Sequence, residues 1–403
     1  MELFWLEHKK LWRKKIVKIC VLLCFVYCVI FGSILSFQWF SFGSSDDYTS
    51  AFGNNFDGYT VIKDSQEYAL SFGGELTDET LQQIVSDYQQ MEADGMEEEL
   101  EKTDWQIVNS WLGTLYPELR DTSNYKTMIS YVDPDKLTGF YERRQQVLDE
   151  FLEISGQVGA EKEFLHQIER KVEKPFHYEW VEGWSTLLGS MVADLGVVMA
   201  LFLGIVLSSL FAGEWHDNTS TLVLTTRNGW GKIALAKILT GLAFTVELFA
   251  LLAVSSVISQ LFFMGTAGWD MPIQNIKLIA VAPMNMLQAE IYEYAFVLLG
   301  AIGFAGIVMF ISAAVKNNVL TLLLSLAVVY GPMMIAEYLP YGMQKALDLI
   351  PLVGSSTDIF RTNTFRIFGK LIWSPYLLIT IPVLIGILCM PFAIKSWSRR
   401  MKA

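Results

Sequence analysis

The chain has 403 residues, 52% of them hydrophobic and only 18% charged, with a mean hydropathy of +0.35. Soluble chains of this length carry about a quarter charged residues, so the composition speaks against an all-soluble enzyme and for a membrane protein. The net charge of −12 speaks against nucleic-acid binding, which needs a basic surface.

The first predicted element is amphipathic. Within residues 1–15, Leu3, Phe4, Leu6, Leu11 and Trp12 alternate with Glu7, Lys9, Lys10, Arg13 and Lys14. Trp and Leu beside Lys and Arg suit a helix lying in the membrane interface. Residues 16–42 follow as a first span. Its apolar run is too long for a cleaved signal peptide and no Ala-x-Ala site follows, so it reads as a retained anchor. Cys20, Cys24 and Cys28 share one face of this helix. A metal or redox site is conceivable there, but small residues packing helix against helix explain the stripe better. With Cys389 as the remaining cysteine, no disulfide-framed domain is on offer.

Residues 43–185 hold 30 acidic and 11 basic residues, a net of −19, which leaves +7 for the rest of the chain. This stretch reads as an extracytoplasmic acidic domain large enough for its own core. Its pattern is mainly helical. Thr77 followed by Asp78 and Glu79 predicts a capped helix start, and Leu81, Ile84, Val85, Tyr88 and Met91 continue it at helical spacing. Tyr141, Leu148, Phe151 and Leu152 predict a second helix, broken near Gly156 and Gly159. Phe164, Leu165, Ile168 and Val172 predict a third that stops before Pro175. Residues 59–62 and 68–72 pattern as a short hairpin. The carboxylate-rich run 92–101 reads as a solvated face, because Asp94-Gly95 alone does not make a calcium loop.

Five further apolar stretches of bilayer length follow, at 186–211, 233–264, 291–314, 319–336 and 373–394, for six spans in all. Lys and Arg gather before the first span, at Arg227, Lys232 and Lys237, at Lys316, and at Lys395, Arg399, Arg400 and Lys402. This pattern puts both termini in the cytoplasm. Two acidic residues fall inside spans. Glu247, near the middle of the third, reads either as a group on a substrate path or as a carboxyl hydrogen-bonded between helices. Asp194, in the second, is explained by a water-accessible position or by the same path. Glu290 and Glu293 read as interfacial, at the outer mouth of the fourth span. The expected fold is therefore an all-α polytopic membrane protein with six transmembrane helices and a mainly helical extracytoplasmic domain.

Residues 212–232, between the second and third spans, are too long for a tight turn. They carry a polar patch (Glu214, His216, Asp217, Asn218), an apolar strip (Leu222, Val223, Leu224) and Arg227-Asn228-Gly229. A short helix docking a cytoplasmic partner fits this pattern, and so does an ordinary interfacial loop. Reaction chemistry is hard to place: the sequence has no Walker-type phosphate loop, no H-E-x-x-H and no G-x-S-x-G, and it has four histidines in all.

At this segment the chain resembles the permease subunits of type-2 ABC exporters, those of Gram-positive bacteria in particular. The resemblance is carried by Phe211, Glu214, Asn218-Thr219, Leu222, Leu224, Thr225, Lys232 and Ala236-Lys237. Two departures are local: Asn218 stands where the family has glycine, and Gly229-Trp230-Gly231-Lys232 replaces its usual arginine. The run Gly74-x-Leu76-Thr77-Asp78-Glu79 is similar to the large outer domain of one branch. Residues 337–372, with Ile350-Pro351 and Phe368-Gly369-Lys370, look like the family's outer re-entrant hairpin. The resemblance implies a plasma-membrane permease that pairs with a second permease, identical or homologous, and with a cytoplasmic ABC ATPase. ATP would then be bound and hydrolysed on that partner, leaving this chain without cofactor or catalysis. It makes Glu214, Asp217, Asn218, Thr219, Leu222 and Leu224 the ATPase-coupling residues, and Glu247 and Asp194 candidates for the translocation path. Peptides, lipids and drug-like molecules are among the family's substrates. A membrane sensor or resistance scaffold, binding a cationic ligand through the acidic domain, is the alternative reading.

Overall fold

The computed structural model describes residues 2–30, 66, 73–96, 105–121, 126–216, 231–354 and 363–399. The hairpin expected at 59–62 and 68–72 and the second half of the first expected span lie outside the described residues. The chain is mostly helical and opens with α1 (Glu2–Arg13), followed by α2 (Lys15–Val29). The extended backbone of Lys14 separates the two, so the amphipathic helix is a distinct element.

The acidic domain is built from β1 (Gly74–Leu76), α3 (Asp78–Ala93), α4 (Trp105–Leu115), α5 (Phe140–Ile154), α6 (Ala160–Glu169) and β2 (Phe176–Tyr178). Thr77 caps α3 as expected: its Oγ1 accepts the Thr80 N–H at 3.2 Å. Asp78, in the first turn, also caps a second helix. Its carboxylate accepts the Gly139 and Phe140 N–H groups at 2.7 and 2.9 Å, at the start of α5. Gly139 supplies the left-handed backbone (φ +72°) that turns the chain into this cap. The break between α5 and α6 falls at Gly156 and Gly159, both at positive φ. β1 and β2 pair antiparallel, Gly74 opposite Tyr178, which closes the domain across a hundred intervening residues. Leu76, Leu81, Val85, Leu112, Trp111, Phe140 and Phe176 form its core, and each large apolar side chain so buried contributes about 1.5–3 kcal/mol.

The chain re-enters the apolar body through the short α7 (Glu182–Thr186) and one π-helical turn. There follow α8 (Val192–His216), α9 (Lys232–Met264), α10 (Met286–Ala314), α11 (Asn318–Ile335), α12 (Tyr341–Leu347), the hairpin β3 (Thr364–Ile367) and β4 (Lys370–Trp373), and α13 (Ser374–Arg399). Five of these helices (α8, α9, α10, α11 and α13) are long and apolar enough to cross a bilayer, which marks the chain as a membrane protein. α2 is the described part of the first expected span. Its Cys20, Cys24 and Cys28 are all free thiols, buried in one apolar core with α8, α9 and α10. The segment after α11 is not helical throughout. Leu352 and Val353 press into the main core near Phe296, and β3–β4 turns at Phe368-Gly369, where both residues have positive φ.

α10 and α13 make the tightest crossing. A Cβ on Gly303 would lie 2.2 Å from the Pro382 carbonyl oxygen, and one on Gly306 would lie 2.4 Å from that of Gly386. Small residues let two backbones approach in this way, as is common between membrane helices. Gly303→Ala is therefore expected to lower stability by ~1–3 kcal/mol through overpacking. Gly331→Ala, at a position with open space around it, is the control and is expected to be silent. Equal thermal-unfolding midpoints for the two variants in detergent would refute the close crossing.

Candidate functional site

α8 and α9 are joined by residues 217–230, which lie outside the described residues together with the expected coupling positions Asp217, Asn218, Thr219, Leu222 and Leu224. Glu214, the remaining one, is described. It sits in the last turn of α8 and is 4% exposed. A carboxylate so buried is costly unless paired, and here two lysines pair it. Lys10 of α1 donates to its Oε1 at 2.6 Å and Lys237 of α9 at 2.8 Å. Lys237 is itself only 2% exposed and also donates to Glu7 at 2.8 Å. Lysines and carboxylates from three elements thus meet in one network around the buried Glu214–Lys237 pair.

Around it the span ends are locked together. Lys14 donates to Ser209 of α8 at 2.9 Å. The Ser312 hydroxyl of α10 accepts the Phe211 and Ala212 N–H groups, each at 3.1 Å, and donates to the Ser208 carbonyl at 2.7 Å. Lys316 lies 4.3 Å over the Trp215 ring, which in turn meets Trp397 of α13. The end of α8 is therefore in direct contact with the α1–α2 junction, α10 and α13, besides its bonds to α1 and α9.

Glu247 belongs to the same region. Its carboxylate accepts Trp12 Nε1 at 3.0 Å and lies 3.2 Å from His8 Nε2, with Trp12 packed edge-on against Phe244. At 33 residues α9 is about 50 Å long, well beyond a hydrocarbon core of about 30 Å. Its N-terminal part runs beside α1, and Glu247 sits at the depth of that helix. The carboxylate is exposed and hydrogen-bonded. Asp194 lies far from this network, exposed in the first turn of α8 and within hydrogen-bonding reach of the Tyr27 hydroxyl. The structure therefore brings Glu214 and Glu247 together around α1 and leaves Asp194 at the opposite end of α8. Glu290 and Glu293 lie in the first turns of α10, as expected near its mouth, and both are buried within the protein.

Lys237 carries more here than its place in the sequence indicates, since it reads there as one more positive charge beside a span. Only its position one residue after Ala236, inside an apolar helix, hints at burial. Glu7 read only as part of the polar face of the first helix, and His8 and Ser312 gave no local signal. Among the described residues no three of His, Cys, Asp and Glu come together as a metal-ligand set.

A helical membrane protein in which an N-terminal amphipathic helix clamps the ends of several spans is the class that the fold and this site define. Comparison with known proteins returns no matching family model, no significantly similar curated protein and no significantly similar solved structure.

Proposed function

We propose that the chain is the transmembrane permease subunit of an ABC transporter, powered by a separate cytoplasmic ATPase and exporting a peptide, lipid or drug-like substrate. The observation that carries the reading is the buried Glu214–Lys237 pair, joined by Lys10 and Glu7 of α1. Residues 217–230 follow α8 in the chain, so a force applied to them by a partner reaches Glu214 first. Lys10 and Lys237 then pass it to α1 and α9.

In this reading residues 16–40 complete a sixth span, both termini are cytoplasmic, and the acidic domain stands outside the plasma membrane. The buried thiol face of α2 supports counting it among the spans. The permease works as a pair with a second copy or a homologue, in the lipid bilayer. ATP binding closes the ATPase pair, and the clamped span ends move as a unit to open or close the path between the two permeases. No ATP chemistry occurs on this chain.

Co-expression with an ABC ATPase, should one be encoded beside this chain, tests the reading, and the absence of any such gene counts against it. The ATPase is expected to co-purify in mild detergent. Thr219→Ala is expected to lower substrate-linked ATP turnover at least threefold while leaving the complex assembled. An ATPase that does not associate, or turnover indifferent to this substitution, overturns the proposal or the role of Thr219 respectively.

A further inference from the structure

Three apolar helices converge at the end of the body that carries the α9–α10 connection, and they bury an unusual set of polar groups. Cys28 of α2 is hydrogen-bonded with Ser256 of α9 and lies close to the Tyr294 hydroxyl of α10. One turn from Ser256 toward the connection, α9 presents Gln260. One turn from Tyr294 toward the same connection, α10 presents Glu290. The two helices run in opposite directions, so these steps bring Gln260 and Glu290 to the same depth.

Both side chains are buried, with Gln260 0% and Glu290 4% exposed. Neither meets a counter-charge among the described residues: both amide atoms of Gln260 lack a hydrogen bond, and Glu290 has the Tyr294 hydroxyl beside it without closing a bond of full geometry to either carboxylate oxygen. Tyr294 lies beside Glu290, and Glu293, on the same buried stretch of α10, is already partnered. Buried polar groups are normally satisfied, and a buried carboxylate without a counter-charge is the costliest exception. Such groups inside a membrane protein mark ligand or ion sites.

We propose that Glu290, Gln260 and Tyr294 bind one alkali metal cation within the membrane body. The donors are a carboxylate, a carboxamide oxygen and a hydroxyl, with the Ser256 hydroxyl one turn away. These are the hard oxygen ligands that suit such ions. The single uncompensated charge of Glu290 matches a monovalent ion, whereas a divalent one would leave a positive excess in apolar surroundings. A proton on Glu290 removes the charge but leaves Gln260 unpartnered at both ends. A cation held by the carboxylate takes up the Gln260 carbonyl oxygen as well. The site is independent of whether the protein is a transporter.

The test uses the full-length protein in detergent, unfolded thermally in sodium, potassium or choline chloride at constant ionic strength and fixed pH. A bound ion stabilises the folded state in proportion to the logarithm of its concentration above the dissociation constant. The midpoint is expected to rise by several degrees with sodium or potassium over choline. Glu290→Gln is expected to abolish the difference, and Gln260→Ala to weaken the apparent affinity at least tenfold. Equal midpoints of the wild-type protein in all three salts overturn the proposal without recourse to any variant. So does an alkali-ion effect that survives Glu290→Gln, or a midpoint that follows pH while ignoring the cation, which assigns the site to a proton.

Discussion

Replacing Arg144 by methionine is expected to destabilise the protein by ~3–5 kcal/mol, the usual cost of removing one partner from a buried ion pair. Arg144 is 0% exposed. Its Nε donates to the Leu278 carbonyl at 2.6 Å, one terminal nitrogen to Glu169 at 2.6 Å and the other to the Ala280 carbonyl at 3.0 Å. The guanidinium also lies 5.1 Å from the centre of the Phe176 ring. One side chain thus ties α5 and α6 of the acidic domain to the connection between α9 and α10. Lysine is expected to rescue little, because a single ammonium cannot reproduce the three-way planar fork. Denaturant unfolding followed by tryptophan fluorescence measures the loss, and an unchanged midpoint in the methionine variant would sink the assignment.

The same cluster predicts an acid response. Burial pushes the Glu169 carboxyl up, but hydrogen bonds and charge from Lys174 and Arg144 outweigh burial and hold it below its ordinary value of 4.5. A carboxyl whose pKa is lower in the folded than in the unfolded state stabilises fully above the unfolded value. That contribution is lost as pH falls from the ordinary value through the folded one. The wild-type midpoint should therefore drop over this acid window, and the drop should be shallower in Arg144→Met. Parallel acid curves for the two proteins would show that Glu169 draws nothing from Arg144.

The second large effect is expected at the span ends. Glu214→Ala leaves Lys237 buried with Glu7 as its remaining acidic partner in the network, and removes the Lys10–Glu214 bond between α1 and α8. The expected cost is again ~3–5 kcal/mol, with faster hydrogen exchange in residues 2–13 as α1 loosens. Glu214→Leu combined with Lys237→Met removes one charge of each sign and leaves Glu7 and Lys10 to pair with one another. Buried ion pairs replaced together by apolar residues are often neutral or better, so this double variant is expected to recover much of the stability. The cycle separates strength from function, because a double variant that is stable but fails to stimulate ATP turnover assigns coupling to the charges themselves. Equal exchange in α1 for wild type and Glu214→Ala would show that the network does not hold the helix.

Much of the architecture is written locally. The α3 cap at Thr77, the helix break at Gly156 and Gly159, and the apolar runs of the five long helices follow from contacts between residues one to four positions apart, which the chain order contains. The split of charge between residues 43–185 and the remainder is likewise a property of the string itself. Glu214 was legible as a polar group at the edge of a span, but its two lysine partners were not. Lys237 meets Glu214 across 23 positions and Glu7 across 230, and Glu247 meets Trp12 across 235. Arg144 reads in sequence as one of two arginines on an ordinary helix face. Only packing decides that its neighbour Arg143 reaches Glu118 at the surface while Arg144 is sealed against carbonyls more than a hundred residues away. The same holds for Glu290, which sequence placed at the end of a span and which packing buries. Sequence determined which segments are helical and which faces are apolar, because periodicity and capping act over one turn. Tertiary structure decided which buried charges are paired and which are left waiting, because that depends on which helices come to lie side by side.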